Sequence, residues 1–199
     1  MVVAAGCGSQ AGHSSGAIDD GPALAATTTI DARYERLPPG PATVLVVGDS
    51  VILGAKTQVP DALAGWKVTF DAKESRGIQA GISLLEARKG PSPRVVVIHL
   101  CTNWAEHDYA EQIDKTMAQL EGADRVVWVT CEPWRDEVVE ADADIAAAVD
   151  RYPNLVMADW AALADKPGYS YSDHLHLRKP GAVALAALVA EKVGPAPTP

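Results

Sequence analysis

Short apolar runs alternate with longer segments of helical periodicity between residues 42 and 193. The apolar runs are rich in β-branched residues and are bounded by Gly, Pro, Asp or Asn, which is typical of strands. Strands are predicted at 43–47, 67–70, 94–100, 125–130 and 154–157, and helices at 53–63, 78–88, 109–120, 137–152 and 180–193. This alternation predicts a three-layer α/β/α domain whose five-stranded parallel sheet is buried between helices.

The segments that flank this domain, predicted over 42–194, differ from it in composition. Residues 8–41 are rich in small and polar residues and predict a flexible linker, and the Pro-rich residues 195–199 predict a disordered tail. Residues 1–7 end in Ala-Ala-Gly-Cys7, which resembles the end of a lipoprotein signal, although its basic region is missing. The combined pattern favours an exported protein that is tethered to a membrane through a lipid on Cys7.

Composition narrows the range of functions. The hydrophobic fraction of 48% and the charged fraction of 22% are ordinary for a globular domain. A formal net charge of -9 argues against nucleic-acid partners, because such binding depends on clustered Lys and Arg. No metal-ligand spacing such as His-Glu-x-x-His or Cys-x-x-Cys occurs, so we expect chemistry that needs no metal or other cofactor.

Residues capable of catalysis follow the predicted strands directly. Because ligands bind at the carboxyl ends of the strands in an open parallel sheet, we expect these residues to meet at one edge. A serine hydroxyl is a weak nucleophile, and it needs a histidine base that is oriented by a third group. The candidates at this edge are Ser50, Arg76, Gly77, Asn103, Trp134, Asp173 and His176.

Four short motifs of residues 42–193 resemble blocks of a known family. Gly48-Asp49-Ser50, Gly77, Asn103 and Asp173-x-x-His176 are similar to blocks I, II, III and V of the SGNH (GDSL-like) hydrolase superfamily. The finer pattern, including Ser75-Arg76, looks most like the SGNH domains associated with acyltransferase-3 polysaccharide O-acetyltransferases. The resemblance implies a flavodoxin-like SGNH fold.

The resemblance also implies roles for individual residues. Ser50 would be the nucleophile, His176 the general base and Asp173 the carboxylate that orients the imidazole. The oxyanion hole would take donors from Ser50, Gly77 and Asn103. This chain departs from the family in the third block, where Cys101 stands at the usual glycine position and is expected to narrow the oxyanion pocket.

Several of these residues also have an alternative interpretation. Ser50 is a good helix N-cap, Asn103 is a common turn residue, and His174 competes with His176 as the base. His99, inside the third strand, is interpreted as a satisfied, partly buried histidine rather than a catalyst. Asp49 is expected to bond loop amides.

Further candidates lie on the loops beside these residues. Trp104 and Trp134 are expected to frame the cleft and to stack on a sugar ring or an acyl chain, with core packing as the alternative. Arg76 is a candidate for binding an anionic substrate group, or else an ordinary surface cation. Cys101 and Cys131 follow strands expected to be neighbours, so they form either a disulfide or two buried thiols.

Together these features predict an extracytoplasmic serine esterase that hydrolyses O-acyl, and specifically O-acetyl, esters through an acyl-serine intermediate. Its expected partner is a small acyl ester or an acylated glycan. An O-acyltransferase is the alternative, because the same intermediate can pass its acyl group to a sugar hydroxyl. A non-catalytic glycan-binding domain of the same fold is a further alternative.

Overall fold

The computed structural model describes residues 35–198 and contains one five-stranded sheet. The strands are β1 (Thr43–Gly48), β2 (Lys67–Ala72), β3 (Val95–His99), β4 (Arg125–Val129) and β5 (Leu155–Ala158). They lie in the order β2-β1-β3-β4-β5, and every neighbouring pair is parallel. The predicted five-stranded parallel sheet is therefore confirmed.

Seven helices connect and cover these strands within the described residues. They are α1 (Ser50–Leu53), α2 (Gln58–Ala62), α3 (Ile78–Ala87), α4 (Tyr109–Gln119), α5 (Asp136–Arg151), α6 (Ala161–Ala164) and α7 (Lys179–Val193). The single helix expected over 53–63 is instead the pair α1 and α2. Pro60 explains the difference, because a proline in the interior of a longer helix removes a backbone hydrogen bond and clashes with the preceding turn. The short helix α6 was not predicted.

The sheet separates two hydrophobic cores. On one face, alternate residues of the strands pack against the buried sides of α3, α4 and α5, including Ile82, Ile113 and Ile145. On the other face, the remaining strand residues pack against α1, α2, α6 and α7, including Ile52 and Leu185. The central strands β3 and β4 are buried along their whole length, which explains their continuous apolar sequence.

The end of β1 is built so that the following residues reach the sheet edge. Gly48 lies beside His99 in the register of β1 and β3. A Cβ at Gly48 would come within 2.1 Å of the Ile52 side chain, so the chain can turn into α1 here only with glycine. This close approach places Ser50 at the carboxyl edge of the sheet.

The ordered domain extends beyond the boundaries expected from composition. The Gly40 backbone N–H donates to the Thr198 carbonyl at 3.0 Å, and Ala196 packs against the core. Leu37 also packs against this core, and Arg94 donates to the Pro38 carbonyl at 2.9 Å. Residues of the expected 195–199 tail and of the end of the expected 8–41 linker therefore contact the domain in this structure.

The remaining expectations about the N-terminus fall outside the described residues, including the signal remnant at 1–7, lipidation of Cys7 and most of the 8–41 linker. Among residues 35–198, no helix is both long enough and apolar enough to cross a membrane.

Candidate active site

Ser50, His176 and Asp173 form a chain of hydrogen bonds at the carboxyl edge of the sheet. The His176 Nε2 atom lies 3.1 Å from the Ser50 Oγ atom, and the His176 Nδ1 atom lies 2.8 Å from Asp173 Oδ2. A proton on Nδ1 that is shared with Asp173 leaves Nε2 free to accept the Ser50 proton. The three side chains therefore have the arrangement of a nucleophile, a general base and an orienting carboxylate.

Asp173 is held as an anion by the turn in which it lies. Its Oδ1 atom accepts hydrogen bonds from the backbone N–H groups of Leu175 at 3.0 Å and His176 at 3.1 Å. The Leu175 amide, followed by the His176 imidazole, lowers the pKa of Asp173 to about 2. The carboxylate therefore stays charged beside the imidazole across the whole neutral range.

The competing interpretations of Ser50 and His174 do not match the geometry. Asp49 is the N-cap of α1 and accepts from the Val51 N–H at 3.0 Å, so Ser50 is the first residue of the helix. His174 lies at a left-handed backbone position with φ of 56°. Its side chain lines a different cavity, together with Glu132, while His176 lines the cleft beside Ser50.

Asn103 faces the nucleophile from the loop after β3. Its Nδ2 atom donates to the Arg76 carbonyl at 3.2 Å, and the residue lines the same cleft as Ser50. An amide nitrogen has two hydrogens, so one donor remains for a developing oxyanion after this bond is made. The Ser50 N–H, at the start of α1, has no partner within the helix and is a second donor.

Arg76 has a different position from the one expected of a substrate-binding cation. Its guanidinium forms an ion pair with Asp71 at 2.7 Å and donates to the Asp71 carbonyl at 2.5 Å and the Gly48 carbonyl at 3.4 Å. Only 10% of its side chain is exposed. The structure therefore shows Arg76 in an internal role, in which its guanidinium holds the loop after β2 against β1 and β2.

In the loop between β2 and α3, Ser75 lines the cleft beside Ser50 and Gly77 does not. Ser75 has φ of 56°, a conformation that favours glycine, whereas Gly77 has φ of -86° and caps the start of α3. A Cβ at Gly77 would make only an ordinary 3.5 Å contact. Ser75, rather than the expected Gly77, is therefore the candidate oxyanion donor of this loop, which the Ser75-Arg76 dipeptide could have indicated.

The cleft around the nucleophile has a volume of about 560 Å³. It is lined by Ser50, Leu53, Gly54, Lys56, Glu74, Ser75, Asn103, Leu175 and His176.

Trp134 is 50% exposed on the loop after β4, and its indole N–H donates to the Thr102 carbonyl at 3.1 Å. Trp104 is only 4% exposed and packs edge-on against Tyr109, so its expected place in the cleft is wrong.

Cys101 and Cys131 are joined by a disulfide, with Cα atoms 5.8 Å apart. Both residues are completely buried, so the Cys101 side chain extends into the protein and does not line the cleft. Cys101 therefore leaves the cleft beside Ser50 and Asn103 unobstructed. The bridge also connects the loop of Asn103 to the loop of Trp134.

A buried polar cluster lies beneath these loops. The His99 Nδ1 atom is 3.0 Å from Asp49 Oδ1, and both side chains have no exposed surface. Burial alone would lower the pKa of His99, but the Asp49 charge and hydrogen bond outweigh it and raise that pKa. Asp142 accepts from the Cys131 N–H at 2.9 Å, and burial raises the pKa of its carboxyl to about 7.

This cluster brings together donor types that metals use. Two groupings have ligand atoms close together, Asp49 with His99 and Cys131, and Asp142 with both cysteines. A cysteine binds metal as a thiolate, and the disulfide removes that donor from each grouping. The cluster therefore does not fit a metal ion while the bridge is intact.

The parallel sheet and its covering helices have the fold of the SGNH (GDSL-like) hydrolases, as similar solved structures show. One is the C-terminal catalytic domain of Streptococcus pneumoniae peptidoglycan O-acetyltransferase A, solved with a methylsulfonyl adduct. It has 22% identity and a TM-score of 0.63, with 77% of this chain and 90% of that chain covered. No family model and no curated protein matches the sequence.

Two other neighbours share the fold. A GDSL-like lipase from Bacteroides thetaiotaomicron has 17% identity and a TM-score of 0.62, with 76% of this chain and 87% of that chain covered. A Clostridium thermocellum family 3 carbohydrate esterase has 16% identity and a TM-score of 0.61, with 75% and 94% covered.

Proposed function

We propose that this protein is an extracytoplasmic serine esterase that hydrolyses O-acyl esters, specifically O-acetyl esters on carbohydrate. The observation that carries the proposal is the hydrogen-bond chain from Asp173 through His176 to the Ser50 hydroxyl. Neighbours of the same fold include a carbohydrate esterase and an O-acetyltransferase, which supports ester chemistry at this edge of the sheet.

In the first half of the reaction, the Ser50 Oγ atom attacks the ester carbonyl carbon while its proton passes to His176 Nε2. The carbonyl oxygen becomes an oxyanion that accepts hydrogen bonds from Asn103 and from backbone amides of Ser50 and Ser75. The bond to the alcohol oxygen then breaks, and His176 returns the proton to that oxygen. An acyl ester on Ser50 and a free alcohol result.

In the second half, water attacks the acyl carbon and gives a proton to His176. The bond to Ser50 breaks, His176 protonates the Ser50 oxygen, and a carboxylic acid is released. Asp173 stays ionised throughout and stabilises the imidazolium. The Ser50 cleft is open at the surface, and His176 is 46% exposed, so water or another acceptor reaches the acyl group directly.

The test compares hydrolysis of p-nitrophenyl acetate by the wild type and Ser50→Ala. We expect Ser50→Ala to lower kcat by at least about 10³-fold, because the nucleophile is lost. Ser83→Ala, at an exposed position of α3, is the matched control and should retain activity. Equal release of p-nitrophenol by the wild type and Ser50→Ala would overturn the proposal.

Mass spectrometry of the protein after treatment with a sulfonyl fluoride should find one adduct, on Ser50.

An O-acyltransferase is the second candidate, favoured by the similarity to the peptidoglycan O-acetyltransferase domain. In that reaction a sugar hydroxyl replaces water in the second half. Adding an acceptor disaccharide to the p-nitrophenyl acetate assay distinguishes the two, since acetylated disaccharide forms only by transfer. A non-catalytic glycan-binding domain would show neither product.

Export and a lipid tether at Cys7 remain part of the proposal, and fractionation of cells that produce the protein tests both.

A further inference from the structure

A second cavity lies behind the segment that carries Asp173 and His176. Residues 169–178 form a short hairpin, in which the Tyr171 N–H donates to the His176 carbonyl at 2.9 Å and Ser170 pairs with Leu177. Leu175 and His176 line the Ser50 cleft, whereas Tyr171 and His174 line a separate cavity of about 270 Å³. The 169–178 hairpin is therefore a wall that both cavities share.

The second cavity is lined by groups that recognise polar ligands. Glu132 and Asp165 supply carboxylates, Lys166 an ammonium group, and Ser170 and Tyr171 hydroxyls. The Glu132 Oε2 atom is shielded from solvent and has no hydrogen-bond partner among the described residues. Burying a carboxylate with an unpaired oxygen is costly, and a ligand hydroxyl that donates to the cavity-facing side of Glu132 offsets part of that cost.

Charge in the cavity selects between classes of ligand. Burial, followed by the negative charge of Asp165, raises the pKa of Glu132, and His174 acts in the opposite direction. Two carboxylates that already disfavour each other's charge would repel an anionic ligand. A neutral ligand with several hydroxyl groups can donate to both carboxylates and accept from Lys166.

Exposed aromatic rings flank the Glu132 loop. Tyr171, on the cavity wall, is 58% exposed, and Trp134, two residues after Glu132, is 50% exposed. The Trp134 indole bond to the Thr102 carbonyl places this ring next to the loop of Asn103. Flat apolar rings beside convergent polar groups suit a ligand that has both hydroxyls and apolar C–H faces.

We propose that this cavity binds one sugar residue of an acylated glycan while the ester carried by a neighbouring residue lies at Ser50. The proposal rests on the esterase function proposed above. The volume of this cavity, about 270 Å³, is slightly below the range of about 300–1,000 Å³ that is usual for small-molecule pockets, which suits one ring rather than a longer chain. Sugar hydroxyls donate to Glu132 and Asp165, and Tyr171 covers a face of the ring.

The kinetic test compares two esters, p-nitrophenyl acetate, which has no sugar, and cellobiose that carries one O-acetyl group and keeps its other hydroxyls free. The measured quantity is the ratio of kcat/KM for the disaccharide to kcat/KM for p-nitrophenyl acetate. We expect Glu132→Gln and Tyr171→Ala each to lower this ratio at least 10-fold, mainly through KM for the disaccharide. Glu86→Gln, at an exposed position of α3, is the matched control and should keep the wild-type ratio. A wild-type ratio in both cavity variants would overturn the inference.

A binding test separates this inference from the esterase proposal. Cellobiose is titrated into ¹⁵N-labelled Ser50→Ala protein, and we expect shifts of the amide signals of residues 165–174 that Glu132→Gln in the same background abolishes. These shifts, together with a wild-type protein that has no esterase activity, would overturn the esterase proposal alone. Esterase activity without these shifts would overturn the inference alone. Shifts caused by methylammonium chloride but not by cellobiose would identify a cation site and would also overturn it.

Discussion

The imidazole of His99 and the carboxyl group of Asp49 form a fully buried hydrogen-bonded pair directly beneath the turn that presents Ser50. The same Asp49 oxygen accepts the Val51 N–H, so the pair holds the first turn of α1 against the end of β3. His99 therefore supports Ser50 through Asp49 and touches no reacting atom. Its role is positional.

Replacing His99 by Leu should be strongly destabilising, because Asp49 would be left as a buried charge without its partner. A loss of about 3–5 kcal/mol in urea unfolding is expected. Asp49→Asn in the same chain should recover part of that loss, which a double-mutant cycle measures. His107→Leu, which removes an exposed histidine paired with Glu140, is the control and should leave the unfolding curve nearly unchanged. Equal effects of the two histidine variants would contradict the assignment.

The backbone of Ser75, rather than that of Gly77, should matter for catalysis. Gly77→Ala is expected to keep wild-type kcat/KM, because its φ is ordinary and its Cβ has room. Ser75→Gly should also remain active, since glycine adopts a positive φ and keeps the N–H. Ser75→Val should lower kcat at least 10-fold, because a β-branched residue resists this conformation. Loss of activity in Gly77→Ala alone would return the oxyanion role to Gly77.

Asp142 should make stability depend on pH. Its pKa is about 7 in the folded protein, against an ordinary value of 3.8. The folded state then holds a proton that the unfolded chain releases above about pH 4, so this group's contribution falls as pH rises from about 4 to 7, by at most a few kcal/mol.

Melting temperatures at pH 5 and pH 8 measure this effect. Asp142→Asn keeps an acceptor for the Cys131 N–H and cannot ionise, so its melting temperature should fall less over that interval than that of the wild type. Asp150→Asn, an exposed position on the same helix, should behave like the wild type. Parallel curves for the wild type and Asp142→Asn would contradict the raised pKa.

The disulfide should contribute to both stability and catalysis. It closes a loop with a sequence separation of 30, for which the chain-entropy relation gives about 3.5 kcal/mol. Cys101→Ser with Cys131→Ser should lose stability of that order in urea unfolding. The double variant should also have a lower kcat, because the Asn103 loop is less constrained. Cys7→Ser is the control, and an equal loss there would exclude the bridge as the cause.

The sheet was predictable because it depends on local pattern, whereas Ser50, Asp173 and His176 became candidates through the resemblance of short motifs to a known family. Apolar runs bounded by turn residues gave the strand positions, and the strand ends then placed Ser50 near Asn103. Other features depend on conformation or on distant contacts. The place of Ser75 in the cleft depends on its positive φ, and the burial of Trp104 depends on its packing against Tyr109. No short sequence motif reports either feature.

The second cavity was even less predictable from the sequence. Its polar groups come from the loop after β4 and from residues 164–174, and neither segment has a recognisable spacing of functional residues. Only the fold of the 169–178 hairpin turns His174 away from Ser50 and towards Glu132. The position of residues 194–198 likewise depends on distant residues, because the Trp66 indole N–H donates to the Gly194 carbonyl and the Gly40 N–H donates to the Thr198 carbonyl.

The hydrogen bond between Gly40 and Thr198 has a geometric consequence. It joins both ends of the described chain at the amino edge of the sheet, near the start of β1 and the last turn of α7. Ser50 and the 169–178 hairpin lie at the opposite edge. A bead or a domain joined directly to either end of the described residues would therefore lie on the side opposite Ser50 and leave the Ser50 cleft uncovered.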